Sequence, residues 1–266
     1  MSGPDVPLSQ DEISQIVGWS RQAGQIALQH FNQVKPQSKS DHTFLTQADL
    51  EIEQFLTEQI KKTFPTYNLI GEEGLGDRAD QSTPNIWAID PIDGTTAFVQ
   101  GLPGWGISIG LLAKGQPCFG LFYMPLLDDL TYTAGEGELF CNDRLLQQSV
   151  RRGWGGKGFL AVNATAHRDF RINTQRIRAL GSIGASLVYT ARGTAAGAFV
   201  PKARLWDLVA GAAIVNRAGG ELRYRSGRAI DYQALLAGQL APEPIIAAHP
   251  ELQTQLRELI EPHQGR

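Results

Sequence analysis

Trp87-Ala88-Ile89-Asp90-Pro91-Ile92-Asp93-Gly94-Thr95-Thr96, residues 87–96, decides how this chain is read. An apolar run ends in Asp90, Pro91 fixes a turn, and Asp93 returns three residues after the first aspartate. Gly94-Thr95 then stands at the expected start of a helix. Two carboxylates this close repel one another unless a cation lies between them. Exposed N–H groups at a helix N-terminus bind phosphate. The combination describes a magnesium–phosphate site, with hard oxygen ligands and a substrate phosphate completing the metal shell. Read alone, the same residues also suit an ordinary turn, because Asp is common there.

Two further segments share this character. Leu69-Ile70 is a short strand running into Gly71-Glu72-Glu73-Gly74, so Glu72 also stands at a strand end. Trp206-Asp207 opens a later helix carrying Ala210, Gly211, Ala212 and Ala213, where Asp207 is either a site carboxylate or a plain cap. Asp49 sits three residues after Thr46, so a capping box explains it without chemistry.

Working outward, Ser9 and Glu12 make a capping box for a first helix, with Ile13, Ile16, Val17, Ile26 and Ala27 on one face. A second helix runs from Thr46 to Lys62 and stops at Phe64-Pro65. Strands follow at Ile107–Leu112, Cys118–Tyr123 and Leu130–Thr133, joined by short turns that argue for antiparallel pairing. Residues 1–150 therefore read as helices on a mainly antiparallel sheet that carries the metal site. The stretch Arg151–Gly158 is the candidate boundary. Residues 151–266 read as a smaller α/β half that carries Asp207. In it we expect strands at Phe159–Val162, Ala198–Val200, Glu221–Tyr224 and Ile245–Ala248. Helices are expected at Thr174–Ala179, Ser182–Arg192 and Trp206–Ala218, the last capped by Gly219-Gly220. Alternating strands and helices imply parallel pairs in its sheet.

Composition narrows the function classes. The 266 residues hold 24 Lys plus Arg against 27 Asp plus Glu, for a net charge of −3. A nucleic-acid binder held by bulk charge is normally basic, so no nucleic-acid partner is expected. No apolar run approaches about 18 residues, so no membrane span is expected. The polar, acidic start is no signal peptide, which with only two cysteines fits a cytoplasmic protein. The 29 glycines and 14 prolines are scattered and read as tight turns.

Weaker motifs fail on context. Gly153, Gly155 and Gly158 match G-x-G-x-x-G, but they precede a strand where a dinucleotide fingerprint must follow one. Gly158 stands where the P-loop after Gly156-Lys157 needs Ser or Thr. The histidines form no H-E-x-x-H set. A covalent aspartyl mechanism of the haloacid dehalogenase type needs D-x-D, and the spacing here is D-x-x-D. Water activated by metal is the preferred chemistry.

Gly71-Glu72-Glu73, Asp90-Pro91-Ile92-Asp93-Gly94-Thr95, and Trp206-Asp207 through Ala210-Gly211 to Ala218-Gly219-Gly220 resemble the three signature motifs of the inositol monophosphatase family, in the same order. Thr46-Gln47-Ala48-Asp49 resembles the family's second-helix segment, and the likeness runs from about Gln15 to about Ala248. The resemblance implies a magnesium-dependent, lithium-sensitive phosphatase acting on a small phosphorylated metabolite. It implies a five-layer αβαβα sandwich of the inositol monophosphatase and fructose-1,6-bisphosphatase type, assembled as a homodimer. It also implies roles. Glu72, Asp90 and the Ile92 carbonyl would hold one Mg²⁺, and Asp90, Asp93 and Asp207 a second, with a weaker third ion near Glu72. Thr95 and Asp49 would help Glu72 activate water, and the backbone of Gly94 and Thr95 would hold phosphate. Gly181-Ser182 resembles the start of the family's substrate-side helix, and Lys39 lies near the place of a family lysine.

The chain departs from the pattern at one point. Family members acting on inositol or histidinol phosphates commonly carry a glutamate seven residues before the aspartate of the Trp-Asp motif, and here that residue is Val200. Lys202 and Arg204 follow, and Arg168 adds positive charge elsewhere. A positive wall without a carboxylate would favour a more anionic substrate, such as fructose-1,6-bisphosphate or 3′-phosphoadenosine 5′-phosphate, over inositol 1-phosphate or histidinol phosphate. Most loop charges are simply solvated, which is the plainer reading of these residues. A non-catalytic sugar-phosphate-binding protein on the same fold is the competing class.

Overall fold

The computed structural model describes residues 8–33, 37–38, 44–76, 83–135, 137–147, 149–155 and 158–263. Lys39 and the Gly156-Lys157 pair lie outside them. Helix α1 (Gln10–His30) begins at the expected box: Glu12 N–H donates to Ser9 Oγ at 3.3 Å and Ser9 N–H to the Glu12 carboxylate at 2.7 Å. A short pair, β1 (Gln37–Ser38) with β2 (Phe44–Leu45), precedes helix α2 (Gln47–Thr63), which Phe64 ends. The chain continues through β3 (Asn68–Gly71), β4 (Asn85–Asp93), α3 (Thr95–Val99), β5 (Gly106–Ala113), β6 (Gln116–Met124), β7 (Asp129–Ala134), β8 (Glu138–Cys141) and β9 (Arg144–Leu145). These seven strands form one sheet in the order β3-β4-β5-β6-β7-β8-β9. Only β3 and β4 run parallel, and every other neighbour is antiparallel.

Strand β4 is longer than the sequence suggests. It passes through Pro91 and ends at Asp93, not at Asp90. Asp90 faces Ser108 and Asp93 faces Gly106 across the β4–β5 ladder, so β4 carries one extra residue there. Pro91 has no N–H to give the ladder, and such a residue is tolerated at a bulge. The bulge has a consequence for the site. In a regular strand, residues three apart point to opposite faces; one extra residue restores them to the same side.

The second half comprises β10 (Leu160–Val162), β11 (Phe170–Ile172), β12 (Ile177–Ala179), α4 (Ile183–Ala191), β13 (Gly197–Val200), α5 (Leu205–Arg217), β14 (Glu221–Tyr224), β15 (Ile245–Ala248), α6 (Pro250–Leu259) and β16 (Ile260–Pro262). Five of these strands make a second sheet, ordered β12-β10-β13-β15-β14. The first three are mutually parallel, as expected, but β15 is antiparallel to both of its neighbours. The helix expected at Thr174–Ala179 is instead the edge strand β12, paired with β10 from Leu160↔Ile177 to Val162↔Ala179. That segment is too short for its helical spacing to outweigh a ladder offered by a neighbour. Helix α6 was not expected, although Pro250 at its first turn is a normal start signal.

The elements stack in five layers, as the resemblance implies. Trp87 and Ile89 of β4 face α1 and α2. Ile86 and Ala88 face the other way, into a core shared by α4, α5 and the second sheet. The far side of that sheet, with Leu160, Phe199 and Ile246, is covered by Leu252 and Leu256 of α6. Helix α5 lies close against the first sheet because β5 and β6 present glycines there. A Cβ on Gly120 would sit 2.1 Å from the Ala210 carbonyl oxygen. Among the described residues no helix is long and apolar enough to cross a membrane, and Cys118 and Cys141 are free thiols.

Candidate functional site

The β4–α3 corner fixes the first pair of carboxylates. Asp90 is 2% exposed and accepts the Ile92 N–H at 3.1 Å. Asp93, also buried, accepts the Ile183 N–H at 3.3 Å and the Gly184 N–H at 2.5 Å, both from the first turn of α4. The helix N-terminus is a favourable place for an anion, so Asp93 joins the first sheet to the second half of the chain. Gly94 follows with φ +94°, and Thr95 Oγ1 donates to the Ile92 carbonyl at 3.1 Å. A Cβ on Gly94 would lie 2.9 Å from the Gly181 carbonyl and 2.9 Å from Ser182 Cβ. The phosphate-loop candidate and the segment expected on the substrate side are therefore in direct contact, which only glycine permits. Ser182 caps α4 by accepting the Ala185 N–H at 3.0 Å.

Glu72 comes from the loop after β3, and its N–H donates to the Ile89 carbonyl of β4 at 3.3 Å. Helix α2 lies behind that loop. Asp49 is fully buried and accepts both the N–H and the hydroxyl of Thr46, at 2.7 and 2.6 Å. The capping box is thus real, yet it uses only Oδ2; Oδ1 is buried with no hydrogen-bond partner among the described residues. One turn later, Glu53 is also fully buried and accepts the N–H groups of Glu73 at 2.7 Å and Leu75 at 2.8 Å. Glu53 escaped the sequence reading. Its only signal is a charged residue on the face that carries Ile52, Leu56 and Ile60 into the core.

Asp207 lies in the first turn of α5 and accepts the Arg204 N–H at 2.6 Å. The residues proposed as a basic wall are less uniform. Arg204 is half-buried: its guanidinium donates to the Gly238 carbonyl and lies 5.8 Å from the Trp206 ring centroid. Lys202 and Arg168 are exposed, whereas Val200 is 2% exposed and belongs to the core between the sheets. Val200 therefore faces packed apolar side chains and lines no wall.

Burial together with the charges of Glu72, Asp93 and Asp207 holds the Asp90 carboxyl well above the usual carboxylate range. Burial and the charge of Asp93 do the same to Asp207. Burial raises Asp93 to about 6 against the opposing α4 hydrogen bonds, and raises Asp49 and Glu53 to about 7. Asp90 also shares a hydrogen bond with Glu72. Carboxylates in such contact cannot all be ionised unless a cation compensates them. Among the described residues, however, no three His, Cys, Asp or Glu side chains form a ready-made metal cage. The donor set is all oxygen, which suits a hard ion that completes its shell with water or substrate phosphate, as Mg²⁺ does.

Residues 9–264 match the model of the inositol monophosphatase family. The chain is 30% identical over 215 residues to the fructose-1,6-bisphosphatase/inositol-1-monophosphatase of Thermotoga maritima, covering 78% of this chain and 82% of that protein. It is 30% identical over 216 residues to the Nus factor SuhB of Xylella fastidiosa, covering 76% of this chain and 77% of that one. A solved Thermotoga maritima inositol monophosphatase superposes with a TM-score of 0.79 at 24% identity, over 94% of this chain and 96% of that one.

Proposed function

Because the chain belongs to the inositol monophosphatase family, we propose that it is a Mg²⁺-dependent phosphatase that hydrolyses a small phosphomonoester and releases inorganic phosphate. The observation that carries this reading is the gathering of Glu72, Asp90, Asp93 and Asp207, where burial first and the neighbouring charges second raise Asp90 and Asp207. Glu72, Asp90 and the Ile92 carbonyl would hold one ion, and Asp90, Asp93 and Asp207 a second, and a weaker third would bind near Glu72. Bound ions would lower the pKa of an attacking water and neutralise charge on the transferring phosphoryl group.

The chain's own residues then have definite work. Gly94 and Thr95 open α3, and their N–H groups would receive phosphate oxygens. The Oδ1 of Asp49, without a hydrogen-bond partner among the described residues, is a buried acceptor fit to orient a proton donor, and with Thr95 and Glu72 it would set the attacking water. Asp93, pinned by α4, would hold its lone pairs in a fixed direction. Phosphoryl transfer depends on such positioning and on charge neutralisation more than on covalent help. Gly181 and Ser182 would touch the leaving group.

For the substrate, exposed Lys202 and Arg168 favour an anionic metabolite such as a sugar bisphosphate or 3′-phosphoadenosine 5′-phosphate. Arg204 contributes charge from a fixed position, held by Gly238 and Trp206. The name of the Thermotoga relative, which pairs fructose-1,6-bisphosphate with inositol 1-phosphate, keeps both substrates in the panel. We place the active protein in the cytoplasm as a homodimer. A panel of these esters with histidinol phosphate, assayed in Mg²⁺, tests the specificity. Fructose-1,6-bisphosphate or 3′-phosphoadenosine 5′-phosphate should give the highest kcat/KM; inositol 1-phosphate or histidinol phosphate as the best substrate would refute the anionic preference.

The Xylella relative favours a second reading, a Nus-factor-like binding role on the same fold. Hydrolysis separates the two. A binding protein would show no turnover with any ester at any Mg²⁺ concentration.

A further inference from the structure

We infer that Glu53 is a positioning residue for the metal site: its buried carboxylate sets the loop that aims Glu72. The inference rests on the phosphatase reading for what Glu72 holds, and on geometry for the rest.

Glu72 is gripped from both sides. Its own N–H donates to Ile89 of β4, and the N–H of the next residue, Glu73, donates to Glu53 Oε2 at 2.7 Å. Leu75 N–H donates to the other oxygen, Oε1, at 2.8 Å. Both carboxylate oxygens are therefore committed to one loop, and they close it like a clasp. The loop needs this, because Gly74 has φ +81° and both Gly74 and Leu75 are exposed, so little apolar packing holds them. A carboxylate is required, not merely a polar group. Two N–H donors aimed at two oxygens leave no place for an amide NH₂.

Gly71 completes the arrangement. A Cβ there would lie 2.4 Å from Glu53 Oε1 and 2.8 Å from Oε2. Gly71 pairs with Ile89 in the parallel β3–β4 ladder, so its backbone has no freedom to retreat. The glycine before Glu72 is therefore explained by the carboxylate behind it. Glu53 also lies four residues after Asp49, so one buried face of α2 supports both halves of the site. Partners that orient a metal ligand from behind typically change metal affinity about 10- to 100-fold when removed.

The test uses the full chain stripped of metal, with Mg²⁺ as the probe. In the wild type, hydrogen exchange should show the Glu73 and Leu75 amides protected relative to the Gly74 amide, with Mg²⁺ absent. Glu53→Gln should speed exchange at both positions and weaken calorimetric Mg²⁺ binding about 10- to 100-fold. In turnover it should raise the half-saturating Mg²⁺ concentration more than it lowers kcat. Gly71→Ala should reproduce the same pattern, and the double variant should be far less than additive. A Glu53→Gln protein with a lowered melting temperature but wild-type Mg²⁺ affinity and wild-type exchange would overturn the inference. So would wild-type amides at Glu73 and Leu75 that exchange as fast as that of Gly74, a result that needs no variant to fold. A wild type that binds Mg²⁺ through this loop but hydrolyses no ester would remove the phosphatase reading and leave the clasp standing.

Discussion

Asp93 joins a structural contact that the fold shows to a metal-binding role that we propose. Its two oxygens accept separate N–H groups from α4, so the proposed metal ligand is also a tertiary anchor. Asp93→Asn would turn an NH₂ group toward one of those donors. We expect it to abolish hydrolysis by orders of magnitude and also to cost stability on the order of 1–3 kcal/mol, the usual penalty for an unsatisfied buried group. Phosphate release and urea unfolding check the two effects separately; unchanged stability would mean the α4 contacts carry no weight. The carboxylates themselves were legible in the sequence, because each stands beside a glycine, proline or tryptophan at an element end. What was not legible was their supports. Nothing local links Asp93 to Ile183 across 90 positions, and Glu53 hides inside an ordinary helical pattern. The basic wall was legible as charge alone, and burial then removed Val200 from it.

At the scale of elements, glycines decide how closely the layers approach. Gly184 sits in the first turn of α4, where a Cβ would lie 2.2 Å from a Phe122 ring carbon and 2.7 Å from Asp93 Oδ2. Gly184→Ala should push α4 off its anchor, lowering both activity and melting temperature. Gly120→Ala is a contrasting case, since the added methyl meets the Ala210 backbone of α5 and nothing flexible. Overpacking of this kind costs about 1–3 kcal/mol. We expect Gly120→Ala to lose stability with turnover per folded molecule largely kept, and thermal unfolding beside active-site titration would show a discrepancy. The strands that the sequence revealed are those with long buried runs, such as β5 and β6. Strand β12 was misread because its three residues, all exposed, carry no burial pattern and owe their conformation to β10. The bulge in β4 was half visible: Pro91 announces a break in the ladder, but not that the strand resumes to Asp93.

Across the whole molecule the carboxylates make stability depend on pH and metal together. Burial raises Asp49 from 3.8 and Glu53 from 4.5 to about 7, and Asp93 from 3.8 to about 6. Each group holds its proton more tightly folded than unfolded. That stabilisation is fully present below about pH 4 and is lost as pH rises through about 6 to 7. The melting temperature of chelator-treated protein should therefore fall across this window, and Mg²⁺ should restore it more at the alkaline end, where the carboxylates are charged. A melting temperature that rises across the window without metal would contradict the burial of these groups. The five-layer stack explains why they are buried at all: β4, α4 and α5 meet between the two sheets, and Asp90, Asp93 and Asp207 come one or two from each side of that junction. The same junction brings Gly94 against Gly181, so the proposed phosphate loop and substrate segment depend on both halves of the chain.

The most direct measurement is phosphate release from fructose-1,6-bisphosphate and inositol 1-phosphate by the wild-type chain as Mg²⁺ is titrated into chelator-treated protein. Turnover should be absent in chelator, rise saturably with Mg²⁺, and fall by orders of magnitude in Asp93→Asn at every Mg²⁺ concentration. No release of phosphate from either ester at any concentration of Mg²⁺, or release that persists undiminished in chelator, would contradict the account.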